Sequence, residues 1–468
     1  DSFSDEAAGV FAANGIYVYA YKDIMPTPVL SFSVRELGAS CGIMITASHN
    51  PKEYNGYKVY GSDGCQITTE AAKEIHGYIK AVDLFDGIKQ ETLPDARSQG
   101  LMEPAESIIP SIYDRYIEAV LHQSVLFGDN IDTDVSIVYT PLNGTGRKPV
   151  ADVLRLAGYT NITVVSSQEA PDGTFPTCPK PNPEEPSAMD EGLKMCQKVN
   201  ADLLIATDPD ADRCGIAVKD TGHSYRLLTA NETGILLLDY ICRQRATHGH
   251  MTANPVFMKT IVTNDLAAKI ASHYEVETVN VLTGFKFIGE KIGELQDLHR
   301  TEDFIFGFEE SYGYLTGTYA RDKGGVLAAY LIAEMFSYYR TRGISLLEKL
   351  DTLYATFGYC LNTQHTYQFE GSAGMARMEE IMTAIREQPW TEFGGQHVEK
   401  AEDFDMGLYG LPRSNVLKFY TKDCSVVIRP SGTEPKLKVY ISVTAENSTT
   451  ADRIEKDIAN EIDHHCLR

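Results

Sequence analysis

The sequence predicts an α/β protein of several domains that closes with a smaller α+β domain. Three observations carry this. The chain has 468 residues, 43% of them apolar, and at roughly 100–200 residues per domain that length makes about three or four domains with ordinary cores. Short apolar runs alternate with helical patterns through most of the chain, the signature of α/β layers with largely buried sheets. The last hundred residues abandon that alternation.

The predicted strands of the alternating region are 42–46, 135–139, 203–207, 256–262 and 304–308. The predicted helices between them are 68–82, 107–121, 232–245, 326–340 and 345–356. In the last part a helical stretch, 374–386, precedes strands 416–420, 425–428 and 437–443, and a final helix follows over about 450–462. The Pro-, Glu- and Asp-rich stretch 171–186 reads as a loop, and the polar stretch 358–374 as a hinge into the last domain. No short-period repeat is present, but three apolar runs each end directly in a polar motif, at 47–51, 208–213 and 309–313. Ligands of α/β sheets bind beyond the carboxyl ends of strands, so three such ends could line one cleft.

Composition excludes several classes. The chain carries 65 acidic against 42 basic residues, a net charge of −23, which repels nucleic acid and anionic membranes. A phosphate ester as substrate would therefore need the basic residues gathered at one cleft. Nine cysteines are scattered and never spaced C-x-x-C. That argues against a disulfide framework and a structural zinc, and for a reducing cytoplasm. No apolar run is long enough for a membrane span and no signal peptide is visible. The expected partner is a small molecule; the sequence does not fix the oligomeric state.

Four motifs carry chemistry. In Thr46-Ala47-Ser48-His49-Asn50-Pro51 the serine follows a predicted strand in a loop that Pro51 keeps from becoming helix. Asn55-Gly56 then turns the chain so that Lys58 can return towards Ser48. A serine hydroxyl needs a base or a metal to become a nucleophile; His49 and Lys58 are candidates, although a lone Ser-His pair is ordinarily a loop cap. In Asp208-Pro209-Asp210-Ala211-Asp212-Arg213 three carboxylates alternate, a density that suits Mg²⁺ or Ca²⁺. An EF-hand is ruled out because its glycine position is Arg213 and its glutamate position Lys219. Arg213 can grip a phosphate beside them. Glu309-Glu310 end an aromatic-rich run, where carboxylates are costly unless something binds them; sugar hydroxyls would. In Arg429-Pro430-Ser431-Gly432-Thr433 amides, hydroxyls and a guanidinium can meet phosphate oxygens, without Walker A spacing. Thr283-Gly284-Phe285-Lys286 and Arg321-Asp322-Lys323 complete an electropositive cleft or are solvated loops.

In this order the motifs resemble those of the α-D-phosphohexomutase superfamily, most nearly its phosphoglucomutase branch with the phosphoglucomutase/phosphopentomutase-like members, over nearly the whole chain. The resemblance implies three related α/β/α domains plus a small C-terminal α+β domain around a central cleft. Domain limits of 1–125, 126–222, 223–357 and 358–468 follow. It implies that Ser48 carries the phosphoryl group and that Asp208, Asp210 and Asp212 hold Mg²⁺ with an oxygen of Ser48. Arg213 then contacts the phosphoserine and Lys58 does acid–base work. Glu309 and Ser311 would hold sugar hydroxyls; Arg429, Ser431, Gly432 and Thr433 would clamp the distal phosphate; Thr283, Gly284 and Lys323 would add ligand contacts. The sequence opens at Asp1-Ser2-Phe3 without the arginine-containing loop and Y-D-S-R-like element of the family, so part of the first domain is expected to be absent.

The activity so implied is interconversion of glucose 1-phosphate and glucose 6-phosphate through a phosphoserine enzyme and bound glucose 1,6-bisphosphate. Phosphomannomutase and phosphopentomutase activities are the alternatives within the superfamily. A haloacid-dehalogenase-like phosphatase is the rival outside it, with Asp208 as nucleophile, but Asp212 stands where that family has Thr or Val. A non-catalytic phosphosugar-binding protein would have no need of Ser48 and all three aspartates.

Overall fold

The computed structural model describes residues 2–83, 85–431 and 435–466. The chain packs as two compact units: Asp1–Lys259 with Gly284–Leu346, and Thr260–Thr283 with Leu347–Arg468.

The first unit contains a five-stranded sheet in the order Ile162–Val164, Ile137–Thr140, Leu203–Thr207, Cys214–Lys219, Tyr225–Leu228. The first three strands are parallel, and Cys214–Lys219 runs antiparallel to both of its neighbours. Every residue of Leu203–Thr207 is buried, which is why it reads as an unbroken apolar run rather than an alternation. Helix Pro186–Val199 starts with proline at its first position, where the missing N–H costs nothing. It lays Met189 and Cys196 on Val138, Leu204 and Ala206. The loop expected over 171–186 is found, and this helix begins at its last residue.

Strand Val256–Thr260 runs parallel to Phe304–Glu309, which pairs antiparallel with Gly313–Leu315. Helix Ala230–Thr247 opens with a Thr229–Glu232 capping box. Helices Ala230–Thr247 and Gly325–Thr341 are buried on most sides, so neither shows a narrow apolar stripe. The N-terminal part holds helix Thr27–Leu37 and the hairpin Cys41–Ile45 with Tyr57–Gly61, in which Met44 faces Lys58. The helix expected over 107–121 begins only at Ile112. Pro110 precedes its N-cap, Ser111, whose side chain accepts from the Asp114 amide.

The second unit contains helix Leu266–His273, strand Glu277–Val281 and an antiparallel five-stranded sheet. Its order is Tyr359–Gln368, Lys436–Ala445, Cys424–Pro430, Leu417–Tyr420, Lys400–Asp403. Helices Gly371–Glu387 and Ser448–Cys466 cover it through Met378, Ile381, Ile385, Ile458 and Ile462. Within the stretch 358–374, expected as a hinge, helix Gly371–Glu387 begins and Tyr359–Gln368 forms a ten-residue strand, paired along its length with Lys436–Ala445. It is a sheet edge, where polar residues such as Asn362, Gln364 and Gln368 sit without cost. Among the described residues no helix is long and apolar enough to cross a membrane.

Candidate active site

The strand Leu203–Thr207 delivers the chain straight into the aspartate loop. Asp208, Asp210 and Asp212 are all buried, and one oxygen from each lies within 4.8 Å of the others. Three backbone amides from distant stretches fix three successive carbonyls of this loop. Thr145 N–H donates to Pro209 O (2.7 Å), Thr27 N–H to Asp210 O (2.9 Å) and Gly325 N–H to Ala211 O (2.8 Å). The approach leaves no room for a side chain: a Cβ on Gly144 would stand 2.3 Å from Pro209 Cα and 2.4 Å from its carbonyl oxygen. We expect Gly144→Ala to lower stability by roughly 1–3 kcal/mol and to weaken cation binding with it; an unchanged melting curve would refute the tight approach.

Ser48 follows strand Cys41–Ile45 in a left-handed conformation, φ 53°, which is uncommon for a residue with a side chain and marks a constrained turn. Its amide donates to Thr46 Oγ1 at 2.8 Å. Its hydroxyl lies 3.2 Å from His49 Nδ1 and 3.4 Å from Asp208 Oδ2. Lys58 reaches in from the partner strand, with Nζ 2.9 Å from Asp210 Oδ2 and 3.3 Å from Asp212 Oδ2. Arg213 Nη1 is 3.5 Å from Glu184 Oε2, and Nε is 3.9 Å from both Asp208 Oδ2 and Asp212 Oδ1. Glu309 closes its strand with Oε1 2.6 Å from Lys323 Nζ. Lys323 in turn stands 3.9 Å from Asp212 Oδ2, so the Glu309 loop and the aspartate loop share a cation.

Burial sets the charge states. It pushes the Asp208 carboxyl well above its ordinary range, helped by Asp212 and Asp210. Burial would raise Asp210 too, but the Lys58 ammonium outweighs it and holds that carboxyl low. Burial alone would lower Lys58; Asp210 and Asp212 more than offset this, so it stays protonated. For His49, burial, then the Arg213 charge, outweigh the opposing pull of Asp210 and bring it down to about 3, so its imidazole is neutral. Glu309 is kept ionised against its burial by Lys323, Arg213 and the Ser311 hydroxyl.

The donor set fits a hard divalent cation. Asp210 Oδ1 and Asp212 Oδ1 are buried and accept no hydrogen bond, an expensive state for carboxylate oxygens unless an ion meets them. Five carboxylates (Asp208, Asp210, Asp212, Glu309, Asp322) face three cations (Lys58, Arg213, Lys323) in this cluster, so without a metal ion the acids outnumber their cations, and burial favours the protonated form of Asp208 and Asp322. Oxygen-only ligands with room for phosphate oxygens suit Mg²⁺. Arg213 Nε is likewise buried without a hydrogen bond, a donor open to phosphate.

The structure thus brings Ser48, His49, Lys58, Asp208, Asp210, Asp212, Arg213, Glu309, Ser311 and Lys323 into one unit. Of the element at 321–323, Asp322 and Lys323 take part. Arg321 is fully buried and donates to Thr318 O and Gln296 Oε1, each at 2.6 Å, so it braces the loop instead. Gly284, at φ 111°, precedes helix Phe285–Asp297, with Thr283 just before it. In the second unit Arg429 is half-buried opposite Lys438, and the Ser431 amide donates to Lys436 O at 2.7 Å. Gly432 and Thr433 lie outside the described residues. Sequence reasoning missed Thr27, Tyr60 and Glu184, and it took Asp322 only as part of a basic element. Tyr60 donates to Asp322 Oδ2 at 2.6 Å, and Thr27 Oγ1 to Asp210 Oδ2 at 3.0 Å. The Tyr60–Asp322 and Thr27–Asp210 pairs are each more than a hundred residues apart in sequence, and Glu184 lies in a loop 29 residues before Arg213, so no local pattern announces them.

Four family profiles match the chain in order. They are phosphoglucomutase/phosphomannomutase alpha/beta/alpha domain I over residues 1–85, domain II over 114–222, domain III over 229–357 and the C-terminal domain over 370–461. A phosphoglucomutase of Staphylococcus epidermidis is 35% identical over 470 residues, covering 98% of this chain and 84% of its own. A phosphoglucomutase/phosphomannomutase family protein of Burkholderia thailandensis shares the fold with a TM-score of 0.68 at 15% identity, over 94% of this chain and 82% of that one. An N-acetylphosphoglucosamine mutase of Aspergillus fumigatus, solved with GlcNAc-6P and magnesium, has a TM-score of 0.53 at 14% identity, over 99% of both chains.

Proposed function

The chain belongs to the phosphoglucomutase/phosphomannomutase family, and from that premise we propose that it is a phosphoglucomutase, interconverting glucose 1-phosphate and glucose 6-phosphate. The observation that carries this is the Ser48 hydroxyl, presented by a left-handed turn 3.4 Å from Asp208 Oδ2, beside three clustered buried carboxylates. The four segments 1–125, 126–222, 223–357 and 358–468 are proposed as its domains, and the cytoplasm as its location.

Ser48 is assigned the phosphoryl group. In the first half-reaction its P–O bond breaks as the free hydroxyl of a hexose monophosphate forms a new one, giving glucose 1,6-bisphosphate and a free serine. The bisphosphate turns over and returns its other phosphate to Ser48. The hydroxyl proton of the sugar passes to neutral His49, 3.2 Å from the serine oxygen, while Lys58, protonated beside Asp210 and Asp212, can give a proton to the Ser48 oxygen as its P–O bond breaks. Asp208, Asp210 and Asp212 would hold Mg²⁺, which when bound neutralises charge on the transferring phosphoryl group. Arg213 offers its Nε, which makes no hydrogen bond, to the same phosphate, and Lys58 and Lys323 add positive charge where the transition state spreads negative charge. Arg429 and Ser431, with Gly432 and Thr433, are assigned the distal phosphate; Thr283 and Gly284 are assigned further ligand contacts. The haloacid-dehalogenase reading falls with the family assignment.

Glu309 and Ser311 are assigned the 3- and 4-hydroxyls of the sugar. Glucose and mannose present the same pair and differ at carbon 2, whereas galactose differs at carbon 4. A buried carboxylate deprived of a hydroxyl donor costs roughly 1.5–3 kcal/mol, or about 10- to 150-fold in rate. Galactose 1-phosphate is therefore expected to fall at least that far below glucose 1-phosphate in kcat/KM, with mannose 1-phosphate disfavoured less. Assaying purified protein against glucose, mannose, galactose and pentose 1-phosphates tests both the activity and the role of Glu309. Equal efficiency with galactose would remove Glu309 from sugar recognition, and a preference for mannose or pentose would move the activity to another member of the superfamily.

A further inference from the structure

Each of the three aspartates has one carboxylate oxygen occupied by donors of the chain itself. Asp208 Oδ1 accepts the amides of Asp212 (3.1 Å) and Arg213 (2.9 Å). Asp212 Oδ2 accepts from Lys58 at 3.3 Å. Asp210 Oδ2 is the most heavily engaged, taking Lys58 at 2.9 Å, Thr27 Oγ1 at 3.0 Å and Thr46 Oγ1 at 3.3 Å. The opposite oxygens, Asp210 Oδ1 and Asp212 Oδ1, accept nothing, and Asp208 Oδ2 faces Ser48. Every aspartate can therefore give a cation one oxygen and not two.

That distinction separates two cations. Ca²⁺ takes about 6–8 oxygens at about 2.3–2.6 Å and commonly uses both oxygens of a carboxylate, whereas Mg²⁺ asks for six at about 2.0–2.1 Å in near-octahedral order. Thr27 is fully buried and is anchored twice to the residue it serves, because its amide also donates to Asp210 O. Thr46 links Asp210 to the serine loop, since the hydroxyl that donates to Asp210 accepts the Ser48 amide. Both hydroxyls are neutral, so removing one frees Asp210 to rotate without changing the charge of the site. Lys58 cannot serve this test, because its removal alters charge and chemistry together.

Building on the proposed Mg²⁺ site, we infer that Thr27 and Thr46 are positioning residues that hold Asp210 as a one-oxygen ligand and thereby set the preference of the site for Mg²⁺ over Ca²⁺. The test is titration calorimetry of the full chain with each cation alone, on wild type, Thr27→Val, Thr27→Ser and Thr46→Val. Mg²⁺ affinity should fall by about 10- to 100-fold in each valine variant, the usual cost of removing the support of a metal ligand, and Ca²⁺ affinity by less, so that the ratio of the two shrinks; Thr27→Ser should retain the wild-type ratio. Thermal melting identifies folded variants; should Thr27→Val not fold, Thr46→Val, at a partly exposed position, decides. Folded valine variants with the wild-type ratio overturn the inference and leave the proposed function standing. A wild type that binds no Mg²⁺ overturns the proposed cofactor and the inference together.

Discussion

Ser48→Ala is expected to lower mutase turnover by several orders of magnitude while leaving phosphosugar binding within about tenfold, about 1.4 kcal/mol. The large effect follows from the proposed chemistry: without the hydroxyl there is no atom to carry the phosphoryl group between the two half-reactions. The small effect on binding follows from where the other groups stand. Glu309 and Lys323 hold each other at 2.6 Å, Arg213 is positioned by Glu184, Asp208 and Asp212, and none of these contacts passes through the serine side chain. The turn itself is held by the backbone amide of Ser48 on Thr46 Oγ1, which alanine keeps, although φ 53° remains strained for it. The measurements are kcat with glucose 1-phosphate and equilibrium binding of the same sugar phosphate. Substantial turnover by the alanine variant, with no other residue phosphorylated, sinks the serine mechanism.

What could be read in advance and what could not divide along physical lines. The strands Leu203–Thr207 and Phe304–Glu309 were legible because both are buried on all sides, and burial of that kind writes itself into a continuous apolar run. The three aspartates and Glu309 were legible because they follow or end such runs, and Ser48 because it follows a shorter apolar run, 42–46. The edge strand Tyr359–Gln368 was read as a hinge, since a half-exposed edge needs no apolar pattern and backbone pairing leaves no trace in side-chain chemistry. Helices Thr27–Leu37 and Phe285–Asp297 passed unremarked, yet each supports the site, the first through Thr27 on Asp210 and the second through Gln296 on Arg321. The supporting shell of the aspartate loop, Thr27, Thr145 and Gly325, was invisible for the same reason throughout. A hydrogen bond between residues far apart in the chain is a property of the folded arrangement, and threonine and glycine occur too widely to signal it.

Replacing Asp208, Asp210 or Asp212 by asparagine is expected to abolish Mg²⁺ binding and to cost more activity than the roughly 10- to 100-fold usual for a supporting partner of a metal ligand. The argument is sharpest at Asp210. Three donors converge on its Oδ2, so in Asp210→Asn the amide carbonyl must face them and the NH₂ group must take the place of Oδ1, the oxygen that now accepts nothing. The substitution thus aims two N–H groups at the position where a cation needs an oxygen, besides removing a negative charge. Asp208 behaves differently without cation. Burial and the neighbouring Asp212 and Asp210 push its carboxyl up, so Asp208→Asn relieves repulsion among buried acids while keeping an oxygen for the Asp212 and Arg213 amides. With divalent cations removed, this variant should melt at or above the wild-type temperature although its turnover is lost, the opposition expected where a site is built for a ligand rather than for stability. Wild type stripped by chelation should lose turnover and regain it on adding Mg²⁺. Full activity after exhaustive chelation, or Mg²⁺ binding by Asp210→Asn equal to that of the wild type, would show that these carboxylates do not hold the catalytic cation.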